Sequence, residues 1–130
     1  ARAYYKPATD TVNMPRLGVF DSAEEYHSTL FHELVHSTGH TSRLNRDGVT
    51  GTVQFGSQNY SKEELVAEMG AAMLCGVAGI DNQALNDNSD AYLRGWISKL
   101  NDNPEMAILA GAQAQRAADY IRDIKFEDKD

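Results

Sequence analysis

Hydrophobic positions along the chain recur with a helical period in four stretches, separated by polar, glycine-bearing gaps. From about Ser22 to Thr38, the residues Ala23, Tyr26, Leu30, Phe31, Leu34 and Val35 follow three- and four-residue steps, which predicts an amphipathic helix. Asp21, with Glu24 three residues on, supplies a capping box at its start, and Gly39 a stop. A second helical run opens at Ser61 and continues through Cys75. Ser89 to Leu100 gives a third, carried by Tyr92, Leu93, Trp96, Ile97 and Leu100, with Trp96 in the core. Asn103-Pro104 opens a fourth, from about Pro104 to Ile124, whose expected inward face is Ile108, Ala112, Ala117, Tyr120, Ile121 and Ile124. Ahead of these, Tyr4-Tyr5 and Val12-Asn13-Met14 flank the turn-forming Pro7-Ala8-Thr9-Asp10, which reads as two short strands in a hairpin. Between the first two helices, residues 41–60 carry Asp47-Gly48, Gly51 and Gly56 and read as a loop, with Val53 and Phe55 as material for one short strand. Asp81 to Asp87 reads as a polar loop, and Glu127 to Asp130 is expected to fray. The sum is a single α+β domain over 1–130, mostly helical, with a small β-sheet or hairpin.

A chain of 130 residues is long enough to bury one substantial core. Its formal charge of −7 argues against a nucleic-acid binder, because phosphate contacts require a basic footprint. The single Cys75 rules out an internal disulfide and fits a reducing compartment. No basic start runs into an apolar segment, and the longest apolar stretch, Met69 to Ile80, is too short to span a bilayer. A cytoplasmic location, with no membrane partner, is therefore expected. The chain opens at Ala1 and not on Met, which is compatible with a piece of something longer.

The chemistry concentrates in His32-Glu33-Leu34-Val35-His36. Residues four apart share one helical face, so both imidazoles can reach a single zinc ion. Glu33 beside them is placed to act as general base on water that the zinc makes acidic, which is the outline of a hydrolase. The histidines lie away from the apolar stripe, as expected if this helix forms one wall of a cleft with core behind it. An edge strand from the hairpin beside that helix would suit an extended peptide substrate, although a plain structural hairpin fits as well.

The third metal ligand is open at this level. His40 stands one further four-residue step on, but Gly39 interrupts the helix before it, and a role in the cleft or a structural hydrogen bond suits it better. The pattern that continues to a third histidine would need one at position 42, where Ser42 stands. Glu64 shares a stripe with Glu68, Ala71, Ala72 and Cys75, and an acid on such a face needs a partner; zinc for Glu64 and a ligand-histidine nitrogen for Glu68 would supply both. Glu64 also fits the reciprocal capping position to Ser61. Glu63 projects elsewhere and reads as solvated, and Arg43 and Arg46 read as solvated or paired to surface acids. Tyr60, His40 and Arg43 are close enough in sequence to be considered as stabilisers of a developing oxyanion.

Met14-Pro15, His32 to His40, Ser42-Arg43-Leu44, Glu63-Glu64-Leu65-Val66-Ala67-Glu68 and Ala118-Asp119-Tyr120-Ile121 together give a resemblance that covers nearly the whole chain. It resembles the C-terminal metallopeptidase domain of ArdC-type antirestriction proteins, found also in polyvalent proteins of phages and conjugative elements. The resemblance implies a zincin-like fold of the gluzincin type, a Zn2+ cofactor and a polypeptide substrate. It also implies a ligand glutamate on a second helix followed four residues later by an acid that supports a ligand, a spacing matched by Glu64 and Glu68. Members typically carry an N-terminal domain that binds single-stranded DNA; nothing in this chain matches it. Two rivals stand beside the peptidase reading: a metal-stabilised acidic domain that occupies a restriction enzyme or other DNA-binding partner without cleaving it, and a helical scaffold with no metal.

Overall fold

The computed structural model describes residues 2–51, 58–80 and 101–125, together with positions 94, 95 and 98. The expected strand at Val53 and Phe55, the loop at Asp81 to Asp87, most of the helix at Ser89 to Leu100 with Trp96, and the frayed end at Glu127 to Asp130 lie outside them.

Strands β1 (Tyr4–Lys6) and β2 (Thr11–Asn13) form an antiparallel hairpin, with Tyr5 opposite Val12. Asp10 closes its turn at a φ of 52°. After a short 3-10 turn at Leu17–Val19 come α1 (Ala23–Ser37), the one-turn α2 (Asp47–Thr50), α3 (Gln58–Ala78) and α4 (Pro104–Ile121). The fold is α+β, mostly helical, with this one two-stranded sheet among the described residues. No helix among them is long and apolar enough to cross a membrane.

The capping box of α1 lies one residue later than Asp21 and Glu24 suggest. Ser22 is the extended residue, at φ −154°, and its hydroxyl accepts from the N–H of Glu25 at 3.1 Å; Oε2 of Glu25 accepts from the N–H of Asp21 at 3.0 Å. Gly39 follows the helix for a different reason from the expected one. It does not adopt a left-handed φ; instead, a Cβ there would stand 2.5 Å from Cγ2 of Val49, so its lack of a side chain lets α2 close on the end of α1. The hairpin is fastened to the same region. Tyr5 donates from its hydroxyl to Asp10 at 2.8 Å, the Arg43 guanidinium pairs with that carboxylate, and Nε of Arg43 donates to the Ser37 carbonyl at 2.8 Å. Arg43 thus takes the second of its two expected roles, paired to a surface acid, and through that pair it tethers the hairpin.

Helix α3 is the central rod, with α1 and α4 packed along it. The core is built from Val35 of α1, Leu65, Val66, Ala67 and Leu74 of α3, and Ala107, Ala110, Ala114, Ala117 and Ala118 of α4. The inward face of α4 thus differs from the expected one. Ala117 and Ile121 do face the core, but Ile108 is 73% exposed, Tyr120 is 47% exposed, and Ala112 is also outside. Alanines at helical spacing form the contact because small side chains let two helices approach closely.

Candidate metal centre

Helix α3 already runs from Gln58, so Ser61 lies within the helix and the capping role considered for Glu64 does not arise. Glu64 instead faces α1. Its Oε1 lies 3.1 Å from Nε2 of His36 and its Oε2 3.4 Å from Nε2 of His32. The two rings, one turn apart, have centroids 4.9 Å from each other and planes at 78°. One donor atom from each of His32, His36 and Glu64 lies within 4.8 Å of the others, the one cluster of this kind among the described residues.

The far nitrogens of both rings also meet carboxylates. Nδ1 of His32 lies 3.1 Å from Oε1 of Glu68. Nδ1 of His36 lies 2.7 Å from Oε2 of Glu63, which corrects the reading of Glu63 as solvated: it is 6% exposed. Arg46, expected to be solvated or paired to a surface acid, is equally buried and pairs with this buried one, Nε to Oε1 at 2.9 Å and a terminal nitrogen to Oε2 at 3.1 Å. The same guanidinium donates to Thr38 Oγ1 at 2.6 Å and to the Val35 carbonyl at 2.7 Å. A signal for Glu63 was present in the sequence, since Glu63, Val66, Ala67, Gly70 and Leu74 follow helical spacing and all are buried.

Electrostatics follow from these contacts. Burial alone would pull the His32 pKa down, yet Glu64 and Glu68 outweigh it and push it up to about 10. His36 is likewise opposed by burial but raised by Glu63 and Glu64, to about 9. Hydrogen bonds from the two rings hold Glu64 far below the usual carboxylate range. Burial opposes ionisation of Glu63, but His36 and Arg46 hold its pKa below the ordinary value.

Glu33 is 7% exposed, and its Oε2 is buried with no hydrogen-bond partner in the protein. It lies with His32, His36, Glu63 and Glu64 in a cleft of about 660 Å³ bordered by Tyr4 and Tyr5, by Gly48 and Val49 of the α2 segment, and by Tyr60. The residues present suit a divalent cation: two imidazoles, a convergent carboxylate, and a buried carboxylate oxygen unsatisfied by protein. His40 stands apart. Its Nδ1 meets the hydroxyl of Ser42 at 2.8 Å and the N–H of Ser42 at 3.1 Å, and it lines a separate depression with Pro7, Ala8 and Val49. Of the three groups considered for an oxyanion, Tyr60 borders the cleft, whereas His40 and Arg43 are not among its lining residues.

Residues 1–114 match the profile of a family described as zincin-like metallopeptidase. A protein of Escherichia coli named DNA primase TraC is 40% identical over 128 residues, 98% of this chain and 8% of its own length. Protein y4eC of Sinorhizobium fredii (strain NBRC 101917 / NGR234) is 35% identical over 121 residues, 93% of this chain and 38% of its own. Among solved structures, the Mn(II)-bound antirestriction ArdC protein from the R388 plasmid superposes with a TM-score of 0.71 at 40% identity, over 95% of this chain and 44% of that one. Its metal-free form gives a TM-score of 0.69. The chain spans less than half the length of each of these relatives.

Proposed function

We propose that this chain, which belongs to the zincin-like metallopeptidase family, is a zinc-dependent peptidase centre in which His32, His36 and Glu64 hold the cation and Glu33 moves the proton. The observation that carries this reading is the convergence of three donor side chains from α1 and α3 beside a buried carboxylate oxygen left unsatisfied by protein. A divalent cation bound there supplies Lewis acidity, which polarises a carbonyl and lets water act as a nucleophile near neutral pH. Glu33 takes the proton from that water and returns it to the leaving amine. Glu68 and Glu63 hold the two rings from behind. Tyr60, one turn before Glu64 on the same helix, is the group we assign to steady negative charge on the carbonyl oxygen. Tyr4 and Tyr5 bring β1 to the cleft, and β1 pairs only with β2 among the described residues, so an extended peptide has a strand edge to join. Zinc suits a donor set of two imidazoles and one carboxylate with a fourth position open; the Mn(II) of the solved relative makes manganese the competing ion to test.

The test is Glu33→Gln, loaded with zinc beside the wild type and assayed on a mixed peptide library. Bound metal and thermal midpoint are expected to stay the same while cleavage falls at least about 100-fold. Cleavage at the wild-type rate would overturn the assignment.

A second reading is favoured by the net charge of −7 and by the name of the solved relative, an antirestriction protein. Here the metal stabilises an acidic domain that occupies a DNA-binding protein without cutting it. The same variant separates the two: a Glu33→Gln protein that protects incoming DNA in cells as well as the wild type does would favour occupation over cleavage.

A further inference from the structure

The most deeply buried ion pair among the described residues is that of Arg46 and Glu63, each 6% exposed. The pair lies where three parts of the chain meet. Arg46 reaches the end of α1 through Thr38 Oγ1 and the Val35 carbonyl, and it reaches α3 through both oxygens of Glu63. Its own carbonyl accepts the N–H groups of Val49 and Thr50 in α2, so Arg46 stands at the start of that turn. Gly48 of α2 sits so close that a Cβ there would stand 2.7 Å from Cβ of Glu63. Gly48 and Val49 in turn line the cleft. On the other side of the pair, Oε2 of Glu63 lies 2.7 Å from Nδ1 of His36, while Nε2 of that ring faces Glu64.

Stability alone does not account for this arrangement. A buried ion pair gains little over a well-packed apolar pair of similar volume, because desolvating two charges offsets most of their attraction. What an apolar pair cannot supply is an acceptor for the Nδ1 proton of a ligand ring. We infer that Arg46 and Glu63 are positioning residues: Arg46 fixes the Glu63 carboxylate, which keeps the His36 proton on Nδ1 and leaves Nε2 for the cation, and the same pair seats the α2 wall of the cleft. The inference rests on the proposed role of His36 as a ligand and adds Arg46, which acts on that ring through Glu63. It also ties the cleft wall to the metal centre, so that loosening one loosens the other.

Two measurements test it. In the zinc-loaded wild type, long-range nitrogen–proton NMR of His36 is expected to show the proton on Nδ1 and the metal on Nε2; metal on Nδ1 would overturn the inference without any variant. The double variant Arg46→Met/Glu63→Leu keeps the site packed and neutral, so it is expected to unfold cooperatively near the wild-type midpoint. Its zinc affinity, read by competition with a chelating dye, is expected to fall about 10- to 100-fold. Backbone amides of residues 47–50 are expected to exchange faster with deuterium. A folded double variant with zinc affinity within about twofold of the wild type would sink the proposal, and if that variant does not fold, the wild-type NMR decides. Wild-type protein that takes up neither zinc nor manganese would remove the metal reading itself, and this inference with it.

Discussion

Nδ1 of His32 lies 3.1 Å from Oε1 of Glu68, one helical turn beyond Glu64 on α3. The contact turns the ring so that its other nitrogen faces Glu64, and a carboxylate behind an imidazole raises its basicity as a metal ligand. Glu68→Ala is therefore expected to weaken zinc binding about 10- to 100-fold. The Glu68 side chain is about one-third exposed, so the thermal midpoint of the metal-free protein should move little. Calorimetric titration with zinc checks this, with Glu33→Gln as the comparison expected to bind normally. Equal affinities for Glu68→Ala and the wild type would show that the contact does not serve the metal.

Acidity gives a second prediction, with opposite signs for the two states of the site. His32 and His36 have folded-state pKa values of about 10 and 9 in the metal-free protein, above their ordinary 6.5. Their stabilising contribution is therefore complete below about pH 6.5 and is lost as pH rises through 9 and 10. Glu64 is shifted the other way, so its contribution is present above its ordinary 4.5 and is lost as pH falls through its depressed value. The metal-free protein should thus have its highest thermal midpoint near pH 5 to 6, and lose stability toward pH 10. Metal uptake must displace one proton from each ring. At pH 7 about two protons should leave per ion, and affinity should drop by about 100-fold per pH unit as the solution is acidified below 9. Calorimetry in buffers of different ionisation enthalpy counts those protons; release of none would mean that the rings are already neutral at pH 7 and that the carboxylates do not hold them protonated.

What could be read from the sequence divides along physical lines. The hairpin and α1 were legible because local chemistry sets them: turn residues between two short apolar runs, and a capping box before a helical stripe, read at Asp21 and Glu24 and found one residue later at Ser22 and Glu25. His32, His36 and Glu33 were legible because one turn of helix fixes their relative placement. Bringing Glu64 to them depends on how α1 packs on α3, which spacing within one helix leaves open and which left the capping alternative standing. Arg46 and Glu63 were misread for the same reason, compounded by burial. A charged side chain is read as solvated by default, and only a partner 17 residues away in sequence reverses that. Glu63 did carry a warning, since its helical neighbours Val66, Ala67, Gly70 and Leu74 are all small or apolar.

The face of α4 supplies the last prediction. Ranking its positions by hydrophobicity selects Ile108, but the buried apolar ones are Ala107, Ala110, Ala114, Ala117 and Ala118, with Ala114 fully inaccessible. If closeness to α3 requires small side chains there, adding volume should hurt more than removing it elsewhere. Ala114→Leu forces extra methylenes into a packed contact and is expected to cost about 1–3 kcal/mol, lowering the midpoint by about 4 °C per kcal/mol in a chain of this size. Ile108→Ala removes a side chain that is 73% exposed and should stay within about 0.5 kcal/mol of the wild type. Urea denaturation of both variants checks the pair. A neutral Ala114→Leu together with a costly Ile108→Ala would mean that α4 presents its branched residues, and not its alanines, to the core.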